Sequence, residues 1–363
     1  MEPKRVVVGM SGGVDSSVAA ALLHEQGYEV VGVTMRLWTE SRPEEFSGHQ
    51  QCCSVEDIDD ARRVAGQLGI RHYVMNFEDE FREHVVDRFV DEYASGRTPN
   101  PCVRCNEHIK YRALVDRLPA LDAAFVATGH YAQVEHGQDG APHRLFRGVD
   151  ASKDQSYVLY MLQQEQLAQL LLPIGGLTKD QVRAEASRLD LDVATKPDSV
   201  EICFVPGNDY RTFVEERIDM EPGEMQDTTT GETVGEHRGV AAYTIGQRKG
   251  LGVTVGEPRY VTGIDPERNI VTIGPEEDLF ATMLEISEAR WIRGEPLQPA
   301  THVQAKARYK AEPAAATVVE AYGERAVLQF DRRQRALTPG QAVAIYDGDE
   351  VLGGGTVEHS WRP

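Results

Sequence analysis

Seven residues near the start of the chain, Ser11-Gly12-Gly13-Val14-Asp15-Ser16-Ser17, have the types needed to hold a polyphosphate. Two glycines let the backbone approach a phosphate closely, and the free N–H groups at a helix start carry a favourable dipole. The serine hydroxyls add donors, and Asp15 is of the kind that holds Mg2+. The stretch lacks the lysine of G-x-x-x-x-G-K-[ST] and is not G-x-G-x-x-G, which separates it from kinase-type P-loops and from dinucleotide-binding turns. A glycine turn with Ser or Asp capping the helix is the plainer reading. The complete S-G-G-x-D-S-S string, set between a strand and a helix, favours phosphate.

The thiols form a second group. Five cysteines lie at 52, 53, 102, 105 and 203, an odd and sparse set that points to catalytic, redox or metal-binding thiols rather than a disulfide framework. Cys102 and Cys105 have C-x-x-C spacing directly after Pro99 and Pro101, and Cys203 follows about a hundred residues later in Asp198–Pro206. In a chain that already carries a phosphate-type loop, such a set suggests sulfur transfer: one thiolate carries a persulfide and another resolves it. A structural zinc site completed by a histidine, or simply buried thiols, are the alternatives. Cys52-Cys53, ahead of an amphipathic helix, read as structural packing.

These groups need elements to position them. Val6–Val8 reads as a strand, Val18–Leu23 as a helix closed by Gly27, and Tyr28–Met35 as a buried strand. Asp57–Leu68 carries Ile58, Ala61, Val64, Ala65 and Leu68 at helical spacing up to Gly69, and His72–Asn76 returns as a strand. The alternation predicts an α/β fold with a doubly wound parallel sheet, and ligands at the carboxyl ends of its strands. Beyond residue 205, glycines at 223, 231, 235, 239, 246, 250 and 252 punctuate short apolar runs. Thr301–Ala307, Ala314–Glu320, Ala326–Phe330 and Ala342–Tyr346 then alternate like strands of a compact antiparallel barrel. The expected domains are a catalytic unit at 1–205, a small β-rich unit at 206–276 and a β-barrel at 277–363.

A chain of 363 residues is too long for one core. No apolar run nears the roughly 20 residues of a membrane span, and no signal peptide precedes Val6–Val8, so a cytoplasmic address without membrane contact is expected. The net charge of −20 opposes general attraction to nucleic acid, so any RNA contact must be local. Lys306, Arg308 and Lys310 alternate as if on one strand face, with Arg332, Arg333 and Arg335 a second cluster and Arg238, Arg248 and Lys249 a third. Asp57–Asp60 and Glu78–Glu80 read as solvated acidic faces.

Further strings occur in order: C-C-S at 52–54, T-P-N-P-x-x-x-C-N at 98–106, T-G-H-Y-A at 128–132, K-D-Q-S-Y at 153–157, E-I-C-F at 201–204, Y-T-I-G-Q-R-K-G-L at 243–251 and G-G-G at 353–355. With the loop, they make the chain resemble the tRNA-specific 2-thiouridylases over essentially its whole length. These belong to the PP-loop ATP pyrophosphatases, whose fold is adenine nucleotide alpha hydrolase-like. The resemblance implies ATP binding by Gly9, Met10, Ser11, Gly12, Gly13, Val14, Asp15, Ser16, Met35 and Gly129, with Mg2+ on the phosphates. It implies a persulfide on Cys203, received from a cysteine desulfurase or relay protein, and Cys105 as second catalytic cysteine. Asn100, Pro101 and Cys102 would meet the target base. His130, Lys153, Asp154, Gln155, Arg308, Tyr309 and Gln341 would touch the tRNA anticodon stem-loop. The implied reaction adenylates the C2 oxygen of the wobble uridine in tRNAs for Lys, Glu and Gln, after which sulfur displaces AMP.

One departure stands out. The family carries an aspartate, proposed as an acid/base group, where this chain has Cys102. Either proton handling is lost or moves elsewhere, or Cys102, Cys105 and Cys203 hold a [4Fe–4S] cluster with one open iron, as related tRNA-thiolating enzymes do. A PP-loop ligase acting on a small molecule would leave the three cysteines and the barrel without purpose. A non-enzymatic RNA-binding module would not need the loop.

Overall fold

The structure is a computed structural model that describes residues 3–38, 55–198, 202–205, 207, 209–253 and 257–363. Cys52 and Cys53 lie outside the described residues. The run Arg5–Gly9 (β1) buries three consecutive valines, as a strand covered on both faces must. Helix α1, Val14–Glu25, buries Val18 and the alanines that follow, and Gly27 ends it with a φ of +86°. Strand β2 is Glu29–Arg36, helix α2 is Val55–Leu68 with Ala61, Val64 and Ala65 inward, and β3 is Arg71–Asn76. Two short strands, β4 (Phe125–Ala127) and, further on, Leu170–Leu171, complete a five-stranded sheet in which every pairing is parallel. The chain winds outward from β1 through β2 to β3, then crosses to the other side of β1 for β4. The loops after β1 and β4 therefore face each other at the switch point, where such sheets bind ligands.

Between β4 and Leu170–Leu171 the chain makes a hairpin, β5 (Ala132–Glu135) and β6 (Arg144–Arg147), so Leu170–Leu171 is β7. A separate four-stranded sheet follows from β8 (Gly223–Asp227), β9 (Thr233–His237), β10 (Tyr260–Asp265) and β11 (Ile270–Gly274), packed on Met225, Tyr243, Val261 and Ile273.

The last six strands are β12 (Phe280–Trp291), β13 (His302–Lys306), β14 (Ala314–Tyr322), β15 (Arg325–Arg335), β16 (Ala342–Asp347) and β17 (Glu350–Trp361). They run in the order β12-β15-β14-β13-β16-β17, and β17 pairs back onto β12 to close a barrel. Leu284, Ile286, Val318, Leu328, Val343, Ile345 and Val357 fill it. Sequence patterning recovers four of these strands and misses β12 and β17. Glu285 and Glu288 break the apolar alternation of β12, and Gly353-Gly354-Gly355 lowers the strand propensity of β17. The glycines are there for space. A Cβ on Gly354 would sit 2.1 Å from the Val343 carbonyl oxygen and 2.7 Å from the Tyr160 ring.

Two features of the barrel depart from expectation. Strand β13 ends at Lys306, so Arg308 and Lys310 lie beyond it and the three do not share a strand face. The β5–β6 hairpin, although inserted in the parallel-sheet region, joins the barrel sheet by pairing with β17 in the register Val351↔Leu145. Gly354→Ala is expected to destabilise the protein by at least about 2 kcal/mol through overpacking. The urea midpoint measures it, and an unchanged midpoint would show that the barrel yields at this point.

Candidate functional site

The loop after β1 is built by close backbone approaches. Gly12 has a φ of +73°, and a Cβ there would lie 2.1 Å from the carbonyl oxygen of Asp57 at the start of α2. A Cβ on Gly129, just after β4, would lie 2.6 Å from the Ser16 nitrogen. Glycine therefore lets the post-β4 segment rest on the first turn of α1. Within the loop, the Ser11 N–H donates to Ser16 Oγ at 3.1 Å, and Ser17 Oγ donates to the Gly13 carbonyl at 2.8 Å. Met35 ends near Gly9, where a Cβ would meet its methyl at 3.7 Å. The stretch Gly9–Ser16, Met35 and Gly129 thus come together at the switch point.

Charged side chains brace this loop from behind. Lys196 Nζ donates to the Gly12 carbonyl at 3.0 Å and reaches Asp57 at 2.6 Å and Asp60 at 2.5 Å. Asp57 and Asp60 are therefore partly buried partners of a lysine, which corrects their reading as a solvated acidic face. Asp15 accepts from Tyr131 Oη at 2.7 Å and from Lys179 Nζ at 2.8 Å. Lys179 also reaches Asp198 at 2.7 Å, as do Lys153 at 2.8 Å and Arg183 at 3.0 Å. Burial alone would raise the Asp198 pKa, but hydrogen bonds from Lys153 and Lys179 prevail and hold it at about 2. Burial and the Asp15 hydrogen bond push the Tyr131 phenol up, so it stays a donor.

Helix α3, Lys179–Arg188, starts in a capping box made by Thr178 and Gln181, which aims its first turn at the loop. Lys179, Arg183 and Lys196 are functional candidates that the sequence reading missed. The available signal was the i, i+4 spacing of Lys179 and Arg183, which puts both on one face of a capped helix. Lys179 provides near the loop the lysine that its sequence lacks.

The thiols are placed by their neighbours. Pro101 opens a short helical turn, Pro101–Arg104, that continues in wider π-type turns over Cys105–Ala113. Cys102 is exposed and Cys105 buried. Cys105 lies in an apolar cluster with Met35, Phe89 and Phe204, and Cys203 packs against that same cluster. Phe204 anchors its segment edge-on to Phe81, Phe89 and Phe213 at centroid distances of 5.6, 5.2 and 5.4 Å. Cys102, Cys105 and Cys203 do not converge as a ligand set: among the described residues no group of three or more His, Cys, Asp or Glu is arranged to hold a metal.

The helical run carrying Cys105 is tied to the segment after β4 that rests on α1. Tyr111 Oη lies 3.1 Å from Thr128 Oγ1 and 3.0 Å from His130 Nδ1, on either side of Gly129. His130 is itself buried, and burial, with Lys110 adding to it, keeps the imidazole neutral. Burial pushes the Tyr111 phenol up to about 12. The K-D-Q-S-Y stretch is held internally: Asp154 accepts from Gly148 N and Ser156 N at 3.1 Å, and Gln155 Oε1 accepts from Tyr131 N at 3.0 Å. Asn100 and Pro101 line a cavity of about 20 Å3 with Arg104, Tyr160 and Gly340.

A larger cleft, about 670 Å3, opens where the parallel-sheet part, the four-stranded sheet and the barrel meet. Arg211, Arg248, Lys249, Arg308, Lys310 and Arg335 line it, and among the described residues no carboxylate does. The Y-T-I-G-Q-R-K-G-L string supplies one wall, its turn fixed by the Gly246 N–H donating to the Val261 carbonyl at 2.8 Å. Gln341 lines the cleft and donates through Nε2 to the Thr98 carbonyl at 2.9 Å, while Tyr309 is exposed close by in sequence. Burial, then Arg335, lowers the Arg308 pKa, as expected where cations crowd. Arg335 also pairs with Glu276, as Arg238 and Arg333 pair with Glu215 and Glu277.

Residues 4–207 match a family described as "tRNA methyl transferase HUP domain", 211–275 a "tRNA methyl transferase PRC-barrel domain" and 281–357 an "Aminomethyltransferase beta-barrel domain". The chain is 50% identical over 360 residues to "tRNA-specific 2-thiouridylase MnmA 2" of Caldanaerobacter subterraneus subsp. tengcongensis, covering 99% of each. It is 51% identical over 356 residues to "tRNA-specific 2-thiouridylase MnmA" of Heliobacterium modesticaldum, covering 97% of this chain and 92% of that one. Among solved structures, a 4-thiouridine synthetase–RNA complex with bound ATP gives a TM-score of 0.35 at 18% identity, over 59% of this chain and 50% of that one. That likeness is too weak to bear on the site.

The Asp198 network has a pH signature. Its carboxyl is held at about 2 against an ordinary 3.8, so its contribution to stability is complete above about pH 4 and is lost as the pH falls toward 2. Asp198→Asn is expected to lower the urea midpoint at neutral pH and to flatten its fall between about pH 4 and pH 2. A variant that keeps the wild-type acid slope would show that Asp198 is not the group responsible.

Proposed function

The chain belongs to the tRNA-specific 2-thiouridylase family, and on that footing we propose how its own residues carry out ATP-dependent thiolation of uridine in tRNA. The words "methyl transferase" in two of the matched descriptions do not alter this, since the thiouridylases align along nearly the full chain. ATP sits on Gly9–Ser16 with Met35 and Gly129 at its adenosine side, and the N–H groups of α1 face the phosphates. Lys179, with Lys153 and Arg183 behind it, neutralises the departing pyrophosphate. Mg2+ would ride on the phosphates, with Asp15 as the protein's carboxylate, and would supply further charge neutralisation.

The tRNA anticodon arm lies along the basic cleft. Its wobble uridine unstacks toward Asn100, Pro101 and Cys102, as a loop base can at low cost. The C2 oxygen attacks the α-phosphate, pyrophosphate leaves, and the uridine carries AMP at C2. The terminal sulfur of the Cys203 persulfide then attacks C2 and expels AMP. Cys105 attacks Cys203 Sγ, which frees 2-thiouridine and leaves a Cys105–Cys203 disulfide for an external thiol to reduce. A cysteine desulfurase or relay protein reloads Cys203.

The observation that carries this reading is the shared apolar cluster of Cys105, Cys203 and Met35 beside the nucleotide loop. It favours sulfur passing between two thiols next to ATP. An iron–sulfur cluster would require Cys102, Cys105 and Cys203 to converge, and among the described residues no group of three such ligands is arranged to hold a metal. The end-to-end match to tRNA-modifying relatives sets aside a ligase acting on small molecules.

Cys203→Ala should release pyrophosphate from ATP in the presence of tRNA yet thiolate more than about 1000-fold more slowly. Cys105→Ala should stall with tRNA joined to Cys203 through sulfur, visible as a gel-shifted, thiol-reversible adduct. Wild-type thiolation by Cys203→Ala would end this reading, as would iron in stoichiometric amount in anaerobically purified, active protein. Arg248→Ala and Lys249→Ala should each weaken tRNA binding and lower the slope of log K against log salt by about 1.

A further inference from the structure

The G-G-G string at 353–355 and the C-x-x-C segment lie about 250 residues apart, and one carboxylate connects them. In β12 the register against β17 slips: Ser287 faces Thr356, whereas Arg290 faces Gly354, so one extra residue bulges out. At the bulge Glu288 adopts a φ of +50°, a left-handed conformation that a glutamate holds only when its surroundings impose it. The glycines make that possible. A Cβ on Gly355 would sit 2.7 Å from the Ser287 carbonyl oxygen, and one on Gly353 would sit 2.1 Å from that of Arg290.

The side chain of Glu288 leaves the barrel. One carboxylate oxygen binds Arg88 at 2.6 Å; the other binds Arg104 and accepts from Thr356 Oγ1 at 3.1 Å. Arg104 immediately precedes Cys105 and also forks to Glu107 at 3.0 Å. Burial works against the Glu288 charge, and Arg104 and Arg88 overcome it, holding the carboxyl at about 2. The barrel grips the same segment a second time. The Thr98 N–H donates to the Pro339 carbonyl at 2.8 Å, Gln341 Nε2 donates to the Thr98 carbonyl, and Gly340 packs where a Cβ would lie 2.9 Å from the Thr98 nitrogen.

We propose that Glu288 is a positioning residue for the reaction: the bulge above Gly353–Gly355 presents its carboxylate to Arg104 and so fixes the helical turn that carries Cys102 and Cys105. The barrel then contributes to the chemistry as well as to the cleft, because the base-facing segment 98–105 is clamped to it at both ends. The inference rests on the thiouridylase reading for the role of Cys105, but the clamp itself is tested without activity.

The experiment compares wild type, Glu288→Gln and Arg104→Lys as full-length folded proteins. Arg104→Lys keeps the positive charge and loses the planar fork. Two quantities are read: the rate at which iodoacetamide alkylates Cys105 without ATP or tRNA, and single-turnover thiolation of unmodified tRNA by persulfide-loaded protein. Both variants should alkylate Cys105 faster, and their maximal thiolation rate should fall by roughly 100-fold with the half-saturating tRNA concentration unchanged. Wild-type alkylation together with a wild-type maximal rate would overturn the proposal. So would a loss confined to tRNA half-saturation, which would make Glu288 part of the binding surface. Should Glu288→Gln fail to fold, Arg104→Lys decides by the same two readouts. If wild-type protein itself does not thiolate, the thiouridylase reading fails while the alkylation result still judges the clamp.

Discussion

The site depends on how closely three pieces of backbone approach one another at the switch point of the parallel sheet. The loop after β1 touches the start of α2 at Gly12, and the segment after β4 rests on the first turn of α1 at Gly129. Any side chain at either place would collide with main-chain atoms, which have no rotamer to escape into. With these contacts made, the N–H groups of α1 and a face bearing Lys179 and Arg183 look toward the same space. Tyr111 connects the underside of Gly129 to the helix that carries Cys105. The loop after β1 and the helix that carries Cys105 thus meet at the segment after β4.

Charge is organised around that support. A chain with a net charge of −20 holds RNA only where the cations are concentrated and free of carboxylates. Most arginines outside the cleft meet a carboxylate, as Arg333 meets Glu277 and Arg188 meets Glu25. The cleft gathers six basic residues from the middle part and the barrel, of which Arg335 meets Glu276. The excess negative charge elsewhere then repels polyanions from the wrong faces and favours the right one.

Local patterning made much of this legible. Buried strands β1 and β2, the stop glycines 27 and 69, the phosphate-type loop and the C-x-x-C turn all announce themselves within a few residues. What stayed hidden is what only tertiary contact creates. Asp57 and Asp60 look like a solvated helix face until Lys196, more than a hundred residues later, is seen between them. Lys306, Arg308 and Lys310 alternate in sequence, but β13 stops at the first of them. Strand β12 carries charges because one of them works outside the barrel, and β17 carries glycines because its neighbours leave no room for side chains. The three cysteines looked equivalent by type; burial separates Cys102 from the other two.

The hairpin β5–β6, inserted in the parallel-sheet part, is tied to the far later strand β17. Arg144 and Glu350, 206 positions apart, meet across the pairing of that hairpin with β17. Contacts of such separation carry a large loop-closure cost before they are rewarded, and they slow folding. A chain made from its N-terminus can assemble the parallel sheet early. Its hairpin must wait with open edges, a hazard for aggregation, until the last strand has been synthesised. A chain interrupted before β17 therefore leaves the hairpin without its partner strand.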